Sequence, residues 1–348
     1  MHHIILAIIL LLNSIPKLAI GQYVSPAYIS GSIKNINNQL EIENMSDLGR
    51  LSLPNINNTF IPDSAGKFKV NIELKEPGYF RLGRNILYLS PGDSIEAEID
   101  FTYPEKATFK GSNKTANEFL RQTPFPKGGS YISYDEVMGT TIQETVHKII
   151  AFGAKREKLL LSLDSLPAPF VMLEQARIKA DIINSIIDIE NEFPYYHKLT
   201  GDSLTRFRKD LKDSVNDYIR PFASSFNDAK FLVLTVNQRV AYYVMQINKA
   251  YYPNNNLQHI QDWLKATNYF QQIVSDKYPK KHDSIYAKII EINNKQYKEK
   301  LHIAWEQSTK FGNGDKVINF VAENSEGAKV SLDQYAGKVI LIDFWATW

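Results

Sequence analysis

Between residues 28 and 110 apolar and polar positions alternate. Tyr28-Ile29-Ser30-Gly31-Ser32-Ile33, Leu40-Glu41-Ile42-Glu43 and Phe68-Lys69-Val70-Asn71-Ile72-Glu73-Leu74 all follow a period of two. A half-buried strand requires this period, because successive side chains point to opposite faces. Ile95, Ala97, Ile99 and Phe101 repeat it. Pro54-Asn55, Pro62-Asp63, Pro77-Gly78 and Pro91-Gly92-Asp93 fall between the strands and supply turn chemistry. Short strands at this spacing predict a small antiparallel all-β sandwich or barrel over 22–112.

From about Asn113 the period lengthens. Ile142, Val146, Ile149 and Ile150 stand at helical spacing, as do Leu232, Val236, Val240, Tyr243 and Ile247. Residues 170–190 hold Ile182, Ile183, Ile186, Ile187 and Ile189 without Gly or Pro, and Ile285, Ile289, Ile292, Leu301 and Trp305 predict one further long helix. Pro167, Pro169, Pro194, Pro221, Pro253 and Pro279 are expected between helices, where proline starts or stops them. About six antiparallel helices, each hiding one apolar stripe, form the predicted α-helical bundle over 113–310.

At Gly312-Asn313-Gly314-Asp315 the pattern breaks again. Asn319-Phe320-Val321, Asn324-Ser325-Glu326-Gly327 and Val330-Ser331-Leu332 predict a hairpin, and Asp333-Gln334-Tyr335-Ala336 a turn or helical bend. The run 339–344 then has no polar alternate face, as in a central parallel strand covered on both sides.

The amino terminus reads differently. Residues 4–12 are nine consecutive apolar positions, against the ~20 a spanning helix needs. Asn13, Ser14 and Pro16 end the run, and Ala19-Ile20-Gly21 suits a signal peptidase. Residues 1–21 are therefore read as a signal peptide, with Gln22 as the new first residue and export to the periplasm or cell envelope. No transmembrane segment is expected downstream.

Composition narrows the chemistry. The 348 residues carry 40 Lys plus Arg against 38 Asp plus Glu, a net charge of +2 that argues against a nucleic-acid partner. There is no cysteine, so these residues hold no disulfide framework, thiolate metal site or thiol nucleophile. His147, His197, His259, His282 and His302 are scattered without an i, i+4 pair, and neither a metal nor a cofactor is expected. Tyr195-Tyr196, Tyr242-Tyr243 and Tyr251-Tyr252 are read as amphipathic packing, rings in the core and hydroxyls at its edge, rather than as a groove for glycan or peptide.

Gly337-Lys338-Val339-Ile340-Leu341-Ile342-Asp343-Phe344-Trp345-Ala346-Thr347-Trp348 resembles the first core strand of thioredoxin-like proteins. It is most similar to the exported TlpA-like thiol–disulfide oxidoreductases, related to the alkyl hydroperoxide reductase and thiol-specific antioxidant group. Asn319-Phe320, Glu326-Gly327 and Val330-Ser331-Leu332 match the family's leading hairpin, with Asn319 in place of the usual acidic residue. Leu89-Ser90-Pro91-Gly92-Asp93-Ser94-Ile95, Gly111-Ser112-Asn113 and Asn117-Glu118-Phe119-Leu120 resemble the β-then-helical extension on many such proteins.

In that family a Cys-x-x-Cys motif directly follows the tryptophan matching Trp348. The resemblance therefore implies that 311–348 is the start of a thioredoxin-like α/β domain, belonging to a longer gene product. Asp343 would be the carboxylate that handles the resolving thiol's proton, and Trp348 would pack beside the motif and contact substrate. Disulfide-containing client proteins and a membrane electron donor would be the partners of the complete protein. The 348 residues alone are expected to be catalytically inactive. The alternative is a non-catalytic cell-envelope binding module for a peptide, glycan or protein partner.

Overall fold

The computed structural model describes residues 25–36, 38–53, 58–124, 132–226, 228–275, 283–309 and 317–341. The signal-peptide region, the Pro54-Asn55 turn and Pro279 lie outside these residues, as do Asp343, Trp345 and Trp348.

Eight strands open the chain: β1 (Ser25–Lys34), β2 (Leu40–Asn44), β3 (Thr59–Phe60), β4 (Lys67–Leu74), β5 (Gly78–Leu82), β6 (Asn85–Leu89), β7 (Ser94–Asp100) and β8 (Thr108–Gly111). They form two four-stranded sheets, ordered β4-β1-β7-β8 and β3-β2-β5-β6. In β4 the alternation is strict: Phe68, Val70, Ile72 and Leu74 are buried, while Lys67, Lys69, Asn71 and Glu73 face water. These apolar residues join Ile29, Ile42, Phe80, Leu87, Ile95 and Phe109 in one core shared by both sheets, which makes a sandwich.

One pairing departs from the antiparallel expectation. β1 and β7 run parallel, with Ile29 beside Ile95 and Gly31 beside Ala97. Between them the chain visits the second sheet, so it can return to β1 in either direction. Gly31 is needed there: at φ +152°, a Cβ would lie 1.8 Å from the Ala97 carbonyl oxygen.

Ten α-helices occur among the described residues. A four-residue helix, α1 (Asp47–Arg50), sits inside the strand region and was not visible as a period. The others are α2 (Lys114–Leu120), α3 (Tyr134–Val137), α4 (Ile142–Leu161), α5 (Ala168–His197), α6 (Gly201–Ala223), α7 (Thr235–Tyr251), α8 (Gln258–Ser275), α9 (Asp283–Ile289) and α10 (Lys295–Thr309). α5 packs against α4, α6 and α7, and α8 packs against α7 and α10.

Two helical expectations need correction. Pro194 and Pro221 lie inside α5 and α6, not between helices. Each sits in the last turn of its helix, so the missing N–H interrupts little of the hydrogen-bond ladder. The single long helix expected from Ile285 to Trp305 is two, α9 and α10. Asp262 on α8 accepts from the backbone N–H groups of Asn293 and Asn294 at 3.1 and 2.9 Å, holding the break open. The Asn294 side chain then caps α10 by accepting from the N–H groups of Gln296 and Tyr297.

The sandwich and the helices share a wall. Tyr79 on β5, with Ile86 and Tyr88 on β6, points away from the sandwich core into the helical one. There Tyr88 meets Phe170 with ring centroids 5.0 Å apart, and Phe119 meets Phe170 at 6.1 Å. Further contacts tie the regions together: Gln238 Nε2 donates to the Met45 carbonyl at 3.1 Å, and the Tyr297 hydroxyl donates to Asp47. Among the described residues no helix is long and apolar enough to cross a membrane.

The last described segment stands apart. β9 (Val321–Glu323) and β10 (Lys329–Ser331) form the expected hairpin, followed by a 3-10 turn at Leu332–Tyr335. No residue of 317–341 is buried. Residues 339–341, the described part of the expected central strand, have no strand conformation; Val339 is 104% exposed and Leu341 93%.

Candidate functional site

The two residues that the sequence resemblance singles out, Asp343 and Trp348, lie outside the described residues. What leads up to them is built. The Asn324 side chain accepts from the backbone N–H groups of Glu326 and Ala328 at 3.0 and 2.9 Å, fixing the hairpin turn. The Asn319 carboxamide oxygen accepts from the Ser331 hydroxyl at 2.9 Å and the Asp333 N–H at 3.2 Å. Asn319 therefore locks the hairpin to the 3-10 turn with a neutral oxygen.

A second place collects chemistry that the sequence reading missed. α5 is buried at every position from 180 to 186, and Glu174, Arg177 and Asp181 are buried along it. Spacings of three and four residues put them on one face. Glu174 is fully buried and takes the fork of Arg177, with Nε at 2.9 Å and Nη2 at 2.5 Å from Oε2. Its Oε1 also accepts from the Tyr79 hydroxyl at 2.7 Å. Burial, followed by the charge of Glu174, raises the Tyr79 pKa well above its ordinary value, so this phenol stays a donor.

Asp181 is served less well. Glu174 claims the Arg177 fork, and the Arg177 Nη1 contact to Asp181 Oδ2 is long, at 3.4 Å. The other oxygen, Oδ1, is buried without a partner. Burial pushes the Asp181 carboxyl up to about 7, against the pull of Arg177 and Arg156.

Arg156 arrives from α4. Its Nη2 donates to the Thr123 hydroxyl at 2.8 Å, and its guanidinium lies 4.3 Å from the centre of the Phe119 ring. Its Nε is buried without a partner. Burial, then the like charge of Arg177, lowers its pKa to about 10, which still leaves it charged at neutral pH.

Arg156 and Asp181 both line a cavity of about 310 Å³ between α4, α5 and the sandwich edge. Ile132, Phe152 and Ile178 supply apolar wall, and Glu105 and Glu136 also face it. Gly153 sets the helix approach: a Cβ there would lie 2.5 Å from Ile182 Cδ1. The cavity thus sets a guanidinium and a carboxyl beside apolar surface. Among its lining residues no nucleophile stands with an activating base. Glu174, Arg177 and Asp181 at i, i+3 and i+7 were a sequence signal for a charged face on α5, though not for the cavity beside it.

The paired tyrosines are not core residues as expected. Tyr195 is 84% exposed, and Tyr196, Tyr242, Tyr243 and Tyr251 are exposed too; of the six only Tyr252 packs partly against the core. Their helices are long enough that other residues fill the buried stripe. Ring contacts link Tyr242 to Tyr243 and Tyr196 to His197, within each stretch rather than between stretches.

No family model matches the chain, and neither does any curated protein or solved structure.

Proposed function

We propose that this chain is part of an exported thioredoxin-like thiol–disulfide oxidoreductase. Residues 25–309 serve as a sandwich-and-helix module, and the redox unit begins with the hairpin. The observation that carries this reading is the exposure of Val339 and Leu341 directly after that hairpin. Such a run is suited to the middle of a sheet, where neighbouring strands would pair it and helices would cover it. The residues 337–348 that resemble the family's first strand support the same reading.

In the proposed chemistry a thiolate following Trp348 attacks a client disulfide and forms a mixed disulfide. A second cysteine attacks that bond, releasing the client's dithiol and leaving the enzyme oxidised. Two electrons pass from enzyme to client, and a membrane donor restores them. Asp343 takes the resolving thiol's proton, and Trp348 shapes the approach of the client.

Reading the gene beyond the Trp348 codon tests this directly. A Cys-x-x-Cys motif is expected at once; codons without one remove the redox assignment. A longer chain containing the motif should reduce insulin disulfides, whereas these 348 residues, which contain no cysteine, should not. For export, the mature protein should begin at Gln22 in an envelope fraction. An intact Met1 in the cytosol would overturn that part.

A binding module for a peptide, glycan or protein partner is the second reading. Arg156 and Asp181, oppositely charged and lining one cavity, favour a binding role for the module whether or not a redox unit follows it.

A further inference from the structure

We infer that two copies of this chain pair along the free edge of β4, so that their sandwiches share one continuous sheet. The sandwich has four edge strands, and three of them are covered or short. At one side α2 packs against both β6 and β8. There Asn117 answers the Tyr88 backbone, and Arg121 donates to the Ala107 carbonyl at the start of β8. At the other side β3 has two residues and β4 has eight. The inference rests on the sandwich alone and is independent of the redox reading.

The hydrogen bonds of β1 show which way β4 faces. The Tyr28 N–H donates to the Asp93 carbonyl, towards β7, and the Ile33 N–H to the Gly66 carbonyl, towards β4. Ile29 and Gly31, in step with Ile33, therefore turn their backbone to β4. Their partners Val70 and Phe68 face β1 in return, as do Ile72 and Leu74 further along. Lys67, Lys69, Asn71 and Glu73 consequently turn their N–H and C=O groups outward. Asp63 takes both groups of Lys67, accepting through its side chain at 2.8 Å and donating its own N–H at 2.9 Å. At Lys69, Asn71 and Glu73 the outward groups have no partner among the described residues. A regular strand with such an edge is a template for another strand.

The side chains select a second copy, antiparallel and centred on Asn71. That register sets Asn71 opposite Asn71 of the second copy and Lys69 opposite Glu73, twice by symmetry. Every outward group on these three residues is then bonded. On the buried face Val70 meets Ile72 and Phe68 meets Leu74, so the apolar rim of each core covers the other. Those four residues keep 4–8% exposure, whereas Ala27 and Ile29 in the neighbouring β1 keep none. Edge lysines guard a strand by bringing like charges together, but Lys69 and Glu73 flank Asn71 symmetrically and are complementary. The next position sets Lys67 against Lys75, which lies past the end of β4. Other registers fare worse. A slip of one residue sets buried faces against exposed ones, and centring on Lys69 sets two lysines opposite each other. Centring on Val70 requires Lys67 to give up Asp63.

Sedimentation of the purified chain over a range of concentrations tests the assignment. A reversible dimer is expected with a Kd below about 100 μM, weak because one strand pair is a small interface. Backbone hydrogen exchange at Lys69, Asn71 and Glu73 should slow as the dimer forms. Asn71→Pro removes one outward N–H and leaves the bonds to β1 in place. It should weaken the dimer by about tenfold or more while still melting cooperatively. Lys69→Glu should weaken the dimer by about tenfold, and adding Glu73→Lys to that variant should restore it. If the proline variant fails to fold, the charge exchange and the three amides still decide. A chain still monomeric at about ten times the stated Kd overturns the proposal. So does a dimer that survives Asn71→Pro, including one held through the exposed run 339–341 and lost on Leu341→Ser.

Discussion

Two short apolar runs in this chain meet opposite fates. Asn85–Leu89 is buried at every position, whereas Val339, Ile340 and Leu341 lie open to solvent. The run 339–344 reads as a strand covered on two sides, and β6 is such a strand in the fold. In β6 the cover arrives: Leu87 and Leu89 enter the sandwich core, and Ile86 and Tyr88 enter the helical core. Even its open edge is answered. β6 ends its sheet, and there the Asn117 side chain on α2 accepts from the Tyr88 N–H at 2.7 Å and donates to the Tyr88 carbonyl at 3.3 Å. One carboxamide thus takes the place of a neighbouring strand. Residues 339–341 meet no such partners among the described residues, and they form no strand. An apolar run states a demand for cover; only other segments of a chain can meet it.

The largest test of this contrast lies where the covered sheet touches charge. Arg177→Met leaves Glu174 buried without its ion-pair partner, and with the Tyr79 hydroxyl still donating to it at 2.7 Å. Loss of one partner from a buried pair costs about 3–5 kcal/mol, so urea unfolding should show a loss of that order. A change below about 1 kcal/mol would mean that the network is not closed in solution. Leu87→Ala comes next, at about 2–5 kcal/mol, because the cavity left in the sandwich core cannot collapse freely.

Asp181 gives a smaller effect, with a distinctive sign. Its folded carboxyl titrates at about 7, above its ordinary value of 3.8. Between those values the folded chain keeps a proton that the unfolded chain releases, so this group's contribution to stability falls as pH rises. Asp181→Asn cannot titrate. The stability of the wild-type chain minus that of the variant should therefore decline from pH 4 towards pH 7, measured by denaturant midpoints. A flat difference would place the carboxyl in water. The smallest effect belongs to the uncovered run: Leu341→Ser should change stability by less than about 0.5 kcal/mol. A loss comparable to that of Leu87→Ala would show that residues 339–341 are covered after all, and the contrast would fail.

Much of the architecture was legible in the alternation and its period. β4 and β7 follow the alternation residue by residue, because one face is wet and the other meets a single core. The hairpin and its 3-10 turn were readable from Asn324, Gly327 and the polar run at Asp333. What escaped depended on distant segments. The parallel pairing of β1 with β7 needs a return through another sheet, and the break before α10 needs Asp262 from α8. The cavity between α4 and α5 escaped for the same reason. Arg156, Thr123 and Asp181 come from three separate stretches, and nothing local in any of them announces the other two.

The order of elements was therefore determined by the sequence itself: strands through Gly111, helices through Thr309, then a hairpin. Local periodicity and turn residues suffice for that, since they act over a few neighbouring positions. Which runs are covered, and which buried charges find partners, was decided only in three dimensions. Burial and ion pairing depend on what the rest of the chain brings within a few ångströms, and that distance is not written in residue order.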